Sequence, residues 1–287
     1  MIAMRSLACV LLGLGIGALA ATRAQAETIV ERGAYLMNSI VACGNCHTPK
    51  AADGKAIANM ELAGGVVINA PIFRAVAPNI TPDIETGIGD WTEAQIIRAI
   101  REGKRADGTV IGPPMPIAFY RQMSDNDARA LAAYLRTVKP IKNKTEKSTY
   151  KIPLPPNYGP LLIQVPDVPR ADRRAYGEYL ANGLGHCMDC HTPLLPDGRN
   201  DMTKVGAGGR EIETFTGSMV TTSNLTPANA AGISHWTDAQ VRTAITAGMR
   251  PDRPLVRLMA FDWYKNLRAN DLDALVAYLR GLKPATP

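Results

Sequence analysis

The same five-residue pattern occurs twice in the chain and constrains its fold more than any other feature. Cys43-Gly44-Asn45-Cys46-His47 is followed 144 residues later by Cys187-Met188-Asp189-Cys190-His191. Both copies read Cys-x-x-Cys-His, the attachment signature of c-type haem. Two thiols at this spacing can bond one edge of a porphyrin, and the histidine that follows can ligate the iron. The sequence therefore predicts two covalently bound haem c groups, with His47 and His191 as iron ligands.

The cysteines leave little room for other chemistry. The chain has 5 cysteines, of which Cys9 lies near the N-terminus and the other four lie in the repeated pattern, so none remains for a disulfide. The alternative is a pair of structural or redox Cys-x-x-Cys motifs, or one zinc site. That alternative leaves the two following histidines unexplained.

Residues 1–26 have the pattern of a secretory signal peptide. Arg5 supplies a positive charge, residues 7–21 form a short apolar stretch, and Ala24-Gln25-Ala26 matches a cleavage site. We expect a cleaved signal and a periplasmic protein, with association at the inner membrane surface left open. Cleavage lowers the formal net charge from +6 to +4. A net positive charge this small gives no support for nucleic-acid binding.

An internal repeat runs through nearly all of the remaining chain, which is the pattern of a duplicated unit. The segments Gly33-Ala34-Tyr35-Leu36, Asn79-Ile80-Thr81-Pro82 and Ala133-Tyr134-Leu135-Arg136 return as Gly177-Glu178-Tyr179-Leu180, Asn224-Leu225-Thr226-Pro227 and Ala277-Tyr278-Leu279-Arg280. We expect one domain over 27–139 and a second over 172–287. Between them, residues 140–171 are rich in proline and lysine and predict an extended linker across both domains. Its lysines form either a solvated face or a docking face for an acidic partner.

The fold class predicted for each unit is all-α, with long loops that wrap a haem. A short helix is expected over 29–43 and 172–187. Thr92 and Thr237 each stand three residues before a glutamine, as in a capping box, and predict the start of a second helix. A last helix is expected over 124–137 and 270–282, with Ser124 and Asn270 as N-caps.

The repeat also selects a second ligand for each iron. Met115 lies 68 residues after His47, and Met259 lies 68 residues after His191. No other methionine has a counterpart in the other half. Methionine opposite histidine is a common axial pair in cytochromes c and raises the reduction potential. Pro116 stiffens the chain after Met115, whereas Ala260 follows Met259.

Two further pairs of repeated residues have open roles. Asn79 and Asn224, with Trp91 and Trp236, either form turns and pack, or cover the haem edge and bond to its propionates. Tyr35 and Tyr179 are interpreted as helix contacts rather than redox groups. His186 is expected at the rim of a haem.

The segments Asn79-Ile80-Thr81-Pro82-Asp83, Thr86-Gly87-Ile88-Gly89, Met115-Pro116 and Ala132-Ala133-Tyr134-Leu135 resemble the dihaem and trihaem cytochrome c subunits of bacterial membrane-associated alcohol, aldehyde and gluconate dehydrogenases. The resemblance covers about residues 28–285. It implies two class I cytochrome c folds in tandem. It also implies a donor dehydrogenase of flavin, quinoprotein or molybdenum type, and a downstream cytochrome, oxidase or quinone as acceptor.

The leading hypothesis is an electron-transfer protein without catalytic residues, which relays single electrons from a dehydrogenase. A free-standing shuttle between respiratory complexes is an alternative. A dihaem peroxidase or thiosulfate-oxidising enzyme is a weaker one, because two Met/His sites leave no iron open and no cysteine is free.

Overall fold

The computed structural model describes residues 26–214, 217–227, 232–256 and 258–285. The predicted signal peptide lies outside the described residues except for Ala26. The α-helices found in the described parts are α1 Ile29–Met37, α2 Gly44–His47, α3 Glu93–Glu102, α4 Ile117–Tyr120, α5 Asp125–Leu135, α6 Arg173–Glu178, α7 Cys187–Cys190, α8 Asp238–Ala247, α9 Phe261–Tyr264 and α10 Ala269–Arg280. The strands are β1 Val67–Ala70, β2 Phe73–Val76, β3 Thr149–Tyr150, β4 Glu211–Glu213 and β5 Met219–Thr221.

The first and last helices of each half pack closely together. In the first half α1 packs on α5, and in the second α6 packs on α10. A glycine permits each close approach. A Cβ at Gly33 would lie 1.9 Å from the carbonyl oxygen of Ala130, and a Cβ at Gly177 would lie 1.9 Å from that of Ala274. A side chain at either glycine would therefore force the two helices apart.

The helices that lead to the cysteines end earlier than predicted. We expected helices over 29–43 and 172–187, but α1 ends at Met37, and α6 passes at Tyr179 into a π-helical segment, Tyr179–Leu184. The residue before each first cysteine has a left-handed backbone, with φ of 49° at Ala42 and 41° at His186. An L-residue in this conformation does not continue a right-handed helix.

The predicted capping boxes of α3 and α8 are both present. The Thr92 hydroxyl accepts a hydrogen bond from the backbone amide of Gln95, and the Thr237 hydroxyl accepts one from that of Gln240. In return, each glutamine side chain accepts a hydrogen bond from the backbone amide of its threonine. These reciprocal bonds satisfy amides that a helix start leaves without partners.

One of the two predicted caps for the last helices is confirmed. Ser124 caps α5 by accepting from the Asp127 amide, as predicted. The N-cap of α10 is Arg268 rather than Asn270, so that prediction was wrong. The amide of Arg268 donates to the Tyr35 hydroxyl, and its guanidinium lies 3.9 Å from the centre of the Tyr35 ring. These contacts with the first half fix the helix start two residues earlier.

The fold is mostly helical, but all-α was too strict a prediction, because the long loops contain small antiparallel sheets. Strand β2 pairs with β1 and β3, and β4 pairs with β5. Strand β3 lies in the predicted linker. Tyr150 and Tyr158 of this segment donate from their hydroxyls to the Pro113 and Ile111 carbonyls, at 3.1 and 2.7 Å. These contacts bind the segment to the surface of the first half.

The two halves meet in reciprocal hydrogen bonds. The Tyr35 hydroxyl donates to Asp271 at 2.6 Å, and the Tyr179 hydroxyl donates to Asp127 at 2.7 Å. Each bond joins a residue near the start of one half to a residue in the last helix of the other. The buried apolar side chains of both halves form one continuous cluster behind these bonds. Among the described helices, none combines the length and the apolarity that a bilayer crossing requires.

Candidate functional site: two cysteine–histidine segments

We call residues 43–47 and 187–191 the attachment segments. Each forms one short helical turn, in which the two cysteines stand three residues apart and therefore face the same side. All four cysteines of these segments are free thiols and are partly buried. Burial raises the pKa of Cys43 to about 12, that of Cys187 to about 11 and that of Cys190 to about 12. The thiols are therefore neutral at physiological pH in the free protein.

The two predicted iron ligands have the same hydrogen-bonding arrangement. Nδ1 of His47 lies 2.9 Å from the Pro78 carbonyl oxygen, and Nδ1 of His191 lies 2.8 Å from the Ser223 carbonyl oxygen. A carbonyl can only accept, so each Nδ1 carries the proton and each Nε2 keeps its lone pair for a metal. Burial lowers the pKa of both imidazoles, and the carbonyl bond opposes that shift in part. Both rings are therefore neutral, and the carbonyl bond fixes their orientation.

The backbone after each histidine is fixed in the same way. The His47 carbonyl accepts from the Gly64 amide at 2.7 Å, and the His191 carbonyl accepts from the Gly208 amide at 2.9 Å. The buried hydroxyl of the next residue accepts a further amide in both halves, Thr48 at 3.1 Å and Thr192 at 3.3 Å. These bonds attach each attachment segment to the stretch that leads into the small hairpin, which begins with β1 in the first half and β4 in the second.

The repeated asparagines stabilise the segment after each hairpin, which carries the histidine's carbonyl partner. Asn79 Oδ1 accepts from the amide and hydroxyl of Thr81, and Asn224 Oδ1 accepts from those of Thr226, at 2.7 to 2.9 Å. Their Nδ2 atoms donate to the Ile141 and Ala285 carbonyls beyond the last helices. Since the carboxamides bond to protein, the structure favours turn formation and packing over contact with a propionate. The two repeated tryptophans, Trp91 and Trp236, pack against the core.

The two predicted methionine ligands stand on loops of nearly identical backbone. Met115 and Met259 are both partly buried against the core. Each carbonyl accepts from the amide two residues on, at 2.9 Å. Pro116 has φ −83° and ψ 55°, and Ala260 has φ −80° and ψ 50°. The alanine thus adopts the conformation that the proline favours, and the missing ring does not alter this loop.

These residues fit a haem c in each half. The fit consists of two free thiols on one helical turn, an imidazole with Nε2 available, and a thioether on a partly buried loop. Cys43, Cys46, His47 and Met115 would hold one group, and Cys187, Cys190, His191 and Met259 the other. Within the ranges that the structure describes, no group of three or more His, Cys, Asp or Glu side chains is arranged to hold a bare metal ion.

The groups that orient the site were not predicted from the sequence. Pro78 and Ser223 contribute backbone carbonyls, and a backbone carbonyl cannot be recognised from the type of residue that carries it. The available signal was position, because each directly precedes a repeated Asn-x-Thr-Pro segment. Tyr120 and Tyr264 were also missed. Each stands five residues after a predicted methionine ligand and is buried beside the cysteines.

Comparisons with known proteins identify the family to which the chain is similar. The cytochrome c family model matches residues 30–139. The chain is 31% identical to the cytochrome c subunit of a quinone-type alcohol dehydrogenase from Gluconobacter oxydans, over 91% of this chain and 56% of that protein. It is 31% identical to the gluconate 2-dehydrogenase cytochrome c subunit of Pantoea cypripedii, over 97% of this chain and 65% of the relative.

A third relative is matched over most of its length. The chain is 30% identical to a dihaem c-type cytochrome of Cereibacter sphaeroides, over 83% of this chain and 81% of that protein. By contrast, the chain spans little more than half the length of several curated dehydrogenase subunits that it matches. On the match over the greater part of both proteins, the chain belongs to the cytochrome c family.

Proposed function

We propose that this chain is a periplasmic dihaem cytochrome c that relays single electrons from a dehydrogenase to a respiratory acceptor. It would consist of two tandem class I cytochrome c domains, 27–139 and 172–287, that arose by duplication and are joined by the segment 140–171. The observation that carries the proposal is the pair of histidines with matching carbonyl bonds, each beside two free thiols. The repeated Gly33 and Gly177 contacts and the reciprocal tyrosine bonds support the duplication.

Each half would bind its group in the same way. The cysteines tether the porphyrin edge, while the Pro78 and Ser223 carbonyls orient His47 and His191 toward the metal. Haem c bound here would supply reversible one-electron chemistry at iron. Met115 and Met259 would complete the coordination and exclude exogenous ligands, so that electrons pass without substrate binding at the metal.

The donor is inferred from the relatives. Several of them are named as cytochrome subunits of alcohol, fructose and gluconate dehydrogenases. We therefore propose a flavin, quinoprotein or molybdenum dehydrogenase as electron donor, and a cytochrome, an oxidase or quinone as acceptor. The predicted signal peptide supports export, and association with the membrane surface would follow from that partner. Co-purification with a dehydrogenase supports a fixed subunit, whereas isolation as a free protein supports a shuttle.

Replacement of the methionines tests the ligand set. Met115→Ala and Met259→Ala should each remove about half of the far-red sulfur–iron absorption of the oxidised protein, and the double variant should remove all of it. The wild-type protein should bind carbon monoxide slowly, whereas each single variant should bind it rapidly at one haem. Unchanged absorption in both variants contradicts the assignment. Rapid binding to one haem of the wild type, with peroxide turnover, would indicate a dihaem enzyme instead.

A further inference from the structure

The first attachment segment packs against the second half, and the residues just before the second attachment segment pack against the first half. A Cβ placed on Gly44 would lie 2.8 Å from Cζ2 of Trp263, in the second half. Asn45 donates to the Leu258 carbonyl at 3.4 Å. On the other side, Cδ1 of Ile40 lies 2.9 Å from the position of a Cβ at Gly185. The first attachment segment and the residues just before the second one therefore lie at the interface between the halves.

Two buried tyrosines occupy this interface. Tyr120 and Tyr264 hold equivalent positions in the two halves and are 3% and 8% exposed. The Tyr120 ring stands edge-on to the His186 ring, with centres 5.6 Å apart and planes at 86°. His186 directly precedes the second attachment segment, so a first-half tyrosine contacts the second-half site.

The groups that shift the pKa of each tyrosine come from both halves. Burial raises the pKa of Tyr120, and Cys43, Cys46, Tyr264 and Asp189 raise it further. Burial likewise raises the pKa of Tyr264, with additional contributions from Cys187, Cys190 and, from the first half, Cys46. Each tyrosine is thus close to the cysteines of its own half and to the attachment segment of the other.

We propose that Tyr120 and Tyr264 are positioning residues that hold the two attachment segments at a short, fixed separation and so set the rate of electron exchange between the two haem sites. This inference rests on the proposed function, because it requires a haem in each half. The step moves one electron from the reduced site to the oxidised site of the same molecule, and it consumes no proton or external reductant. Rigid aromatic rings with two side-chain torsions suit this role, since packed interiors leave little free movement.

The test uses the full-length exported protein, after its haem content is measured by mass. In half-reduced protein, haem-methyl proton resonances report electron exchange between the two sites. Wild-type exchange should be independent of protein concentration. An exchange rate that scales with concentration would show transfer between molecules, and it would overturn the inference without any variant.

Paired substitutions then separate the ring from the hydroxyl. Tyr120→Leu with Tyr264→Leu should slow exchange by about tenfold or more, while Tyr120→Phe with Tyr264→Phe should stay within about twofold of wild type. Tyr158→Leu is the matched control, because it removes a half-buried tyrosine from the 140–171 segment and should leave the exchange rate unchanged. Hydrogen exchange at 43–47 and 187–191 should rise only in the leucine pair.

A second variant covers the case in which the leucine pair fails to load haem. Gly44→Ala places a methyl group against the Trp263 indole, which must shift, and it should slow exchange severalfold. A wild-type exchange rate in the leucine pair contradicts the inference, as does a wild-type rate in Gly44→Ala if the leucine pair carries fewer than two haems. A wild-type protein without two haems contradicts the proposed function instead, so the two failures are distinguishable.

Discussion

The two halves share their site geometry but differ in the charges at their interface. The Asp127 carboxylate of the first half accepts a hydrogen bond from the Tyr179 hydroxyl. It also forms a bidentate ion pair with the Arg32 guanidinium, at 2.8 and 2.9 Å. The Asp271 carboxylate of the second half accepts a hydrogen bond from the Tyr35 hydroxyl. The second-half residue equivalent to Arg32 is Tyr176, which carries no positive charge. Burial would lower the pKa of Arg32, but the bonds to Asp127 raise it above its ordinary value. The comparison shows that the two histidine sites have the same hydrogen-bonding arrangement, while the charged contacts around them differ.

The largest expected difference follows from that charge pair. Asp127→Ala leaves the Arg32 guanidinium buried without its partner, and we expect a loss of about 3–5 kcal/mol in the free energy of unfolding. The side chains of Arg32 and Asp127 are only 12% and 8% exposed, so solvent screens the pair little. Asp271→Ala removes one hydrogen bond to Tyr35 and should cost about 1–3 kcal/mol. Denaturant unfolding of the two haem-loaded variants measures both losses of stability. Equal losses in Asp127→Ala and Asp271→Ala would contradict the expected difference between the halves.

A second pair of substitutions should affect the halves equally. Gly33→Ala and Gly177→Ala each place a methyl group 1.9 Å from a backbone carbonyl oxygen, which forces the helices apart. We expect each to cost about 3 kcal/mol. Gly54→Ala and Gly198→Ala are matched controls in open space, where only the left-handed φ of 79° and 83° opposes alanine, at about 1–2 kcal/mol. If the melting temperatures of Gly33→Ala and Gly177→Ala differ by more than the experimental error, the two helix pairs are not equivalent.

The smallest expected effect concerns the methionine loops. Pro116→Ala should lower the free energy of unfolding by about 0.4–1 kcal/mol, through the added freedom of the unfolded chain. Ala260→Pro should raise it by a similar amount, because Ala260 already has a φ of −80°. A large loss in Ala260→Pro, measured by denaturant unfolding, would show that the two loops differ in conformation.

Much of the helical scaffold could be predicted from side-chain types alone. Thr92, Thr237 and Ser124 were predicted as helix starts because a capping side chain must lie at a fixed distance from its partner in sequence. The predicted helices were too long, because Ala42 and His186 have a left-handed backbone that keeps a helix from reaching the cysteines, and neither residue is a glycine that would have indicated it. The start of α10 was missed because Arg268 is held by Tyr35, a residue of the other half.

The residues of the site likewise fall into those that the sequence predicts and those that only the fold reveals. The cysteines, histidines and methionines were identified from spacing in the repeat, and their roles stay predictions. The carbonyls of Pro78 and Ser223 could not be inferred, because any residue can supply a carbonyl and only the fold selects which one is used. The tyrosines at the interface escaped notice for a related reason: their neighbours come from the other half, and a repeat within one chain does not show which faces meet.

The central claim is that each half of this chain carries a covalently attached haem. Mass spectrometry of the exported protein, followed by digestion, tests it most directly. The account predicts an intact mass with two added haem groups, one on the peptide with Cys43 and Cys46 and one on the peptide with Cys187 and Cys190. Recovery of either peptide with two unmodified thiols, from cells that mature other c-type cytochromes, would contradict it.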